Sequence, residues 1–218
     1  EHFARGLMMG SAFAYNYKCA FVPFPWPPLG KIESGLLTLN NLAVSEATRE
    51  QLPVPFSWPL RVANLKRCLL VERMPIAESD KELVLVNLHL EAYSSQEGRT
   101  AQMAQLAQLL KAEALKGNYV IAGGDFNQAF PGSVAQYPIP AEAGWIPGQL
   151  MDSDLPAGYR FAFDTRTPTC RALETPYQGD RSAVVMYVID GFIVSANVKV
   201  NSVQTYYLNF RNSDHQPV

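Results

Sequence analysis

The sequence predicts a mixed α/β fold, and three observations carry that prediction. A strand pattern, a helix pattern and a second strand pattern follow one another between residues 81 and 122. Apolar runs of strand length recur before and after that unit. Four of the runs end in, or carry, a small polar cluster, which is where sites on α/β sheets gather. No internal repeat, low-complexity segment or linker divides the chain, so its 218 residues read as one domain.

Taken in order, residues 1–31 are rich in aromatics, Gly and Pro and end in FVPFPWPPLGK. Pro23, Pro25, Pro27 and Pro28 suit neither a helix interior nor a central strand, which predicts a rigid surface loop. SGLLTLNNL (34–42) reads as a short buried strand followed by a turn. NLKRCLLVERM (64–74) and KELVLVNLHL (81–90) both have strand character. In the second, Leu83, Leu85, Asn87 and His89 share one face, and Val84, Val86, Leu88 and Leu90 the other. The first face begins apolar and ends polar.

SSQEGRTAQMAQLAQLLKAEALKG (94–117) is the clearest helix. Ser94 followed by Glu97 matches a capping box. Met103, Leu106, Ala107, Leu110 and Ala114 make a core stripe, and Lys116-Gly117 suits a helix end. YVIA (119–122) then reads as a strand. Residues 128–182 lose the pattern in favour of Pro, Gly, Asp and Thr, which predicts short elements or a region that shapes substrate access. VVMYVIDGFIVSA (184–196) and VKVNSVQTYYLNF (198–210) read as a strand pair.

Composition narrows the function. A hydrophobic content of 48% supports a sizeable core. A formal charge of −2 argues against a broad basic surface for nucleic acid, while leaving room for local basic contacts. Cys19, Cys68 and Cys170 are odd in number and far apart, without zinc spacing, so they read as reduced structural thiols, which favours the cytosol. No apolar run approaches the roughly 18 residues of a membrane span, and no signal peptide is visible. The chain opens on Glu1-His2-Phe3 and stops at Gln216-Pro217-Val218, which reads as a piece of a longer protein, so a leader or anchor stays open.

The four polar clusters are NLHLEA around His89, GGDFN with Asp125 and Asn127, VIDGF with Asp190, and SDHQP with Asp214 and His215. Each alone has an ordinary reading. His89 suits a half-buried histidine, GGDFN and SDH suit turns, and only Asp190, a carboxylate inside an apolar run, demands a partner or a metal. Together they say more, because two of the three histidines in the chain lie among them. On an extended chain Asp125 and Asn127 point the same way. Oxygen-rich ligands without Cys suit a hard cation such as Mg²⁺, and histidine beside carboxylates suits acid/base work near neutral pH. Such a set would stabilise charge on a phosphoryl group under attack.

NLHLEA, GGDFN, IDGFIVS and SDHQPV, in this order, resemble the signature segments of the endonuclease/exonuclease/phosphatase superfamily, whose members include DNase I. The resemblance spans residues 34–218. It implies a two-sheet β-sandwich flanked by helices, the DNase I-like four-layer α/β sandwich. It also implies a divalent-metal-dependent phosphoester hydrolase using Mg²⁺ or Mn²⁺. His215 would lie closest to the scissile phosphate, oriented by Asp190. Asp214 would help bind the metal. Asp125 and Asn127 would meet the attacking water and a phosphate oxygen, with Asp125 the proton acceptor, and His89 would contact the phosphate. Arg171, in PTCR, is a further candidate for contact with the substrate, against the reading of a solvent-facing arginine.

The same resemblance includes a first-strand Asn and a second-strand metal-binding Glu in a Q-E segment. No match precedes residue 34, since Glu1 has no strand before it and Glu33 reads as loop. The expectation is therefore a domain lacking its N-terminal strands and its last C-terminal strand. The expected partner is a phosphoester, whether a small molecule, a phospholipid headgroup or nucleic acid, handled by a monomer without an obligate protein partner. The alternative is a non-catalytic binding or scaffold member of the same fold; against a second rival, a metal-independent hydrolase with a Ser nucleophile, stands the absence of a G-x-S-x-G elbow.

Overall fold

The computed structural model describes residues 2–23, 25–62, 64–93 and 96–218. Apolar strands, most of them buried on at least one face, build its main layer. β3 (Glu46–Gln51), β4 (Cys68–Pro75), β5 (Glu82–His89), β6 (Tyr119–Asp125), β9 (Tyr159–Ala162) and β12 (Asp190–Ser195) form a six-stranded sheet in the order β3-β4-β5-β6-β12-β9. Within this sheet the other neighbours run antiparallel, and β5 and β6 run parallel, as strands joined through a helix can. That helix, α2 (Gln96–Lys116), ends where expected, with Gly117 at φ 74° just beyond it.

α2 covers one face of the sheet. Met103, Leu106 and Leu110 pack with Leu69, Val71, Val84, Val86, Leu88, Val120, Ala122 and Ile193 in one core cluster. Ala114 is exposed, against expectation. The inward position of the last turn belongs to Glu113, which is neutralised by Arg73 at 2.7 Å. The capping box at Ser94 lies outside the described residues.

The opposite face carries a hairpin of β1 (Gly10–Val22) and β2 (Gly30–Asn40), preceded by a short helix, α1 (His2–Leu7). Ala14 and Leu36 of the hairpin pack on Cys68 and Leu70 of β4. Residues 1–31 are thus largely strand rather than loop, and the prolines occupy the connection between β1 and β2. The error arose because β1 buries only Ala14 and Asn16, so its apolar alternation is faint. Asn16 is structural, accepting a 3.0 Å bond from the Cys68 amide. Glu33 lies in β2 rather than in a loop, and pairs with Lys31 at 3.1 Å.

The middle region holds short elements, as expected. These are β7 (Gln128–Ala129), α3 (Ser133–Gln136), β8 (Gly148–Gln149) and β10 (Cys170–Arg171), with one-turn 3₁₀ helices at Asp152–Asp154 and Arg181–Ala183. The 184–196 run splits. β11 (Met186–Tyr187) pairs with β10, and β12 joins the main sheet. Residues 198–210 form no strand, which corrects the expected pairing. Their amides find other acceptors, Thr205 N donating to Asp164 Oδ2 at 3.1 Å and Tyr206 N to the Pro217 carbonyl at 2.8 Å. The three cysteines are free thiols.

Candidate active site

Sheet register gathers the candidate residues. In the parallel ladder His89 pairs with Asp125, and in the adjoining antiparallel ladder Asp125 pairs with Asp190. Three neighbouring strands therefore end side by side, with one polar side chain each on the same face. The two glycines before Asp125 make this possible. A Cβ on Gly124, at φ 144°, would sit 2.0 Å from the Leu88 carbonyl oxygen, and one on Gly123 would strike the Phe192 ring at 2.4 Å. Only glycine lets the strands approach so closely.

His215 arrives from the far end of the chain. Its backbone bridges to Cys170, and Gln216 N donates 2.7 Å to the Thr169 carbonyl. Thr169, fully buried, also accepts the amides of Ile189 and Asp190 on its hydroxyl at 3.0 and 3.1 Å. One threonine thus clamps Asp190 and the His215 segment together. His215 Nδ1 lies 2.9 Å from Asp190 Oδ2, and its Nε2 lies 3.9 Å from Asp125 Oδ2. His89 Nε2 approaches the same Asp125 oxygen at 3.3 Å.

The surroundings separate the protonation states of these groups. Burial alone would lower the His215 pKa, but hydrogen bonds to Asp190 and Cys170 and the Asp190 charge outweigh it and raise the pKa above its usual value. His89 is pushed down to about 3 by burial and by the charges of Arg67 and His215, so it is neutral at physiological pH. Asp125 is pushed up to about 7 by burial and by the nearby Asp190 charge, which the His215 charge offsets only in part. The site therefore holds a cationic imidazole, a neutral one and a carboxyl poised near neutrality.

Asn127 corrects the extended-chain reading. β6 ends at Asp125, and Asn127 takes a left-handed φ of 51°, so the two side chains are not alternate strand positions. Instead the Asn127 amide donates 2.8 Å to Asp125 Oδ1, and Asn127 Nδ2 donates 2.8 Å to the Leu90 carbonyl. GGDFN is both a turn and part of the site.

Asn127 and His215 open onto a cavity of about 370 Å³, walled by Tyr93, Trp145 and Tyr187 among others. Arg171 and Asp214 also line it. Arg171 Nη1 donates to the Ala172 carbonyl at 3.0 Å, and its guanidinium lies 5.4 Å from the Tyr177 ring centre. Potential ligand atoms of Asp125, Asp190 and His215 lie within 4.8 Å of one another, but the protonated His215 has no lone pair to give, which leaves the carboxylates as the donors. Two adjacent carboxylates, with the Asp190 charge raising the Asp125 pKa, fit a divalent cation. Asp214 is outside that trio but next to it in the chain.

The sequence reading missed Thr169, Arg67 and Glu91. Arg67 and Glu91, both buried, pair at 3.4 Å, and Arg67 donates 3.2 Å to the His89 carbonyl. An arginine within an apolar strand run was the available signal for Arg67. For Thr169 there was none.

The sheet order, the helix crossover and the strand ends that gather the His–Asp groups define an α/β sandwich with a DNase I-like fold, and solved structures bear out that fold. Truncated TDP2 from Caenorhabditis elegans superposes with a TM-score of 0.57 at 16% identity, over 99% of this chain and 75% of that one. An endonuclease/exonuclease/phosphatase from Beutenbergia cavernae gives 0.60 at 16% identity, covering 94% of this chain and 51% of that one, so this chain spans about half its length. The human Nocturnin catalytic domain with bound sulfate anion gives 0.55 at 17% identity, over 99% and 72%. The sequence matches no protein-family model and no curated protein.

Proposed function

We propose that this chain carries the catalytic centre of a divalent-metal-dependent phosphoester hydrolase. The observation that carries the reading is the 2.9 Å His215–Asp190 pair set against Asp125 and His89 on three adjoining strand ends. Structural neighbours of this fold support it.

Asp190 fixes the His215 ring through Nδ1 and keeps it cationic, leaving Nε2 to face the negative charge that builds on a phosphoryl group. Asp125 in its ionised form accepts a proton from the attacking water, a role suited to a pKa near neutrality. Neutral His89 donates from Nε2 toward the same site. Asn127, held by Leu90, keeps a second amide hydrogen for a phosphate oxygen. Arg171, on the cavity wall, contacts the remainder of the substrate. Asp214 would help the Asp125–Asp190 carboxylates hold a Mg²⁺ or Mn²⁺ ion, which would supply Lewis acidity to a phosphoryl oxygen.

The test uses the full-length protein and bis-p-nitrophenyl phosphate, with Mg²⁺, Mn²⁺ or EDTA. His215→Ala and Asp125→Ala should each lower turnover by roughly 10²–10⁴-fold without unfolding the protein. Retained activity in either would sink the role assignment. Calorimetric titration with Mn²⁺ gives an independent readout, since Asp214→Ala should weaken the binding.

A further inference from the structure

Two loops at the active-site end of the sheet expose more apolar surface than solvation favours. Beyond Asn16, which is level with the start of β4, β1 continues to Val22 before the chain turns back. At roughly 3.3 Å per residue the hairpin projects on the order of 15–20 Å past the sheet. Phe21, Trp26 and Leu29 near its tip are 59%, 87% and 56% exposed. The second loop joins β3 to β4 at the same end. It presents Trp58, Leu60 and Val62, the last two on a one-turn 3₁₀ helix (Leu60–Val62), at 81%, 62% and 56% exposure.

The two loops share a base. Lys66 N donates 2.7 Å to the Asn16 carbonyl, and Arg49 bridges the Tyr15 and Lys66 carbonyls at 2.9 and 3.0 Å. They therefore leave the molecule side by side, beside the strand end that carries His89. Their charge differs from that of the whole chain. Residues 17–33 and 52–66 contain Lys18, Lys31, Arg61 and Lys66 against the single acid Glu33, a net +3, while the chain as a whole is −2.

We infer that this end of the protein docks on a lipid bilayer surface bearing anionic headgroups. Tryptophan prefers the headgroup level, aliphatic side chains insert just below it, and lysine and arginine at the rim meet anionic lipid. A single-stranded nucleic acid would use the tryptophans for stacking but would leave Leu29, Leu60 and Val62 without a role. No helix among the described residues is long and apolar enough to cross a membrane. If the catalytic reading of the neighbouring site holds, the phosphoester it meets there is a phospholipid headgroup.

The experiment is co-sedimentation of the full-length protein with vesicles of phosphatidylcholine alone or mixed with phosphatidylserine. Tryptophan emission and turnover of a soluble phosphodiester are followed in parallel. The wild type should partition onto the mixed vesicles with a blue shift. Trp26→Ala combined with Trp58→Ala should lower partitioning on the order of tenfold, with melting temperature and soluble turnover unchanged. Undiminished binding by the double variant, or no wild-type binding to either vesicle, overturns the inference. Wild-type affinity for single-stranded DNA that the double variant loses, without vesicle binding, replaces it with a nucleic-acid surface. Absence of soluble turnover in both proteins would count against the catalytic reading alone, because partitioning is read independently.

Discussion

Arg67 and Glu91 face each other 3.4 Å apart in the interior, both almost sealed from solvent, directly behind the backbone of His89. A buried ion pair of this kind is expensive to break from one side, because the survivor keeps its charge without its partner. Arg67→Ala should therefore cost about 3–5 kcal/mol in urea unfolding. Arg67→Met combined with Glu91→Leu should recover most of that loss. Equal destabilisation by the single and double variants would show that packing, rather than charge, is at stake.

Gly124 predicts a backbone effect in the site itself. Gly124→Ala places a methyl against the Leu88 carbonyl in a conformation that L-residues avoid. Destabilisation above roughly 2 kcal/mol is expected, with faster amide exchange along β5 and β6. Wild-type stability in this variant would mean that the strands have room to part.

The two site histidines should titrate far apart. The folded pKa of His215 lies above its unfolded value, so the stability contributed by its pairing is complete below the unfolded pKa and is lost as pH rises through the folded one. By NMR, His215 should stay protonated through neutral pH, and Asp190→Asn should bring its titration down toward the ordinary range. His89, with its pKa near about 3, should remain neutral throughout. A normal titration of His215 in the wild type would contradict the 2.9 Å pairing.

Asp125 works in the opposite sense. Its folded pKa is raised, so the native state holds a proton that the unfolded chain has released, and stability falls as pH climbs from the unfolded value, about 4, toward about 7. Above that window the cost is constant. Asp125→Asn should thus stabilise the metal-free protein by about 1–3 kcal/mol at alkaline pH while abolishing turnover. Thermal unfolding in EDTA across pH measures this directly. A variant no more stable than wild type would show that Asp125 is not strained by its charge.

Much of the centre was readable in advance because it rests on strong periodicities. β5, α2 and β6 follow directly from the alternation of Val84, Val86 and Leu88 and from the stripe of Met103, Leu106 and Leu110. The polar residues that interrupt those patterns, His89, Asp125 and Asp190, meet in space because sheet register aligns them. The remainder depends on tertiary partners. β3 (EATREQ) is an edge strand without an apolar face. Residues 198–210 carry strand-like composition, yet their amides are claimed by Asp164 and Pro217. Thr169 clamps Asp190 from 21 residues away. No local pattern marks such a residue.

His89, Asp125 and Asp190 stand on framework strands, whereas most of the cavity wall comes from the connecting segments. The strand-borne part of the candidate site and much of the cavity wall therefore have separate supports. The connections that carry Asn127 and His215 are tied to those strands by the bonds to Leu90 and Asp190, whereas wall segments such as the one carrying Leu173 can vary without touching them. The glycine-packed seam between β5 and β6 has no such freedom, because any side chain at Gly124 would meet the Leu88 carbonyl.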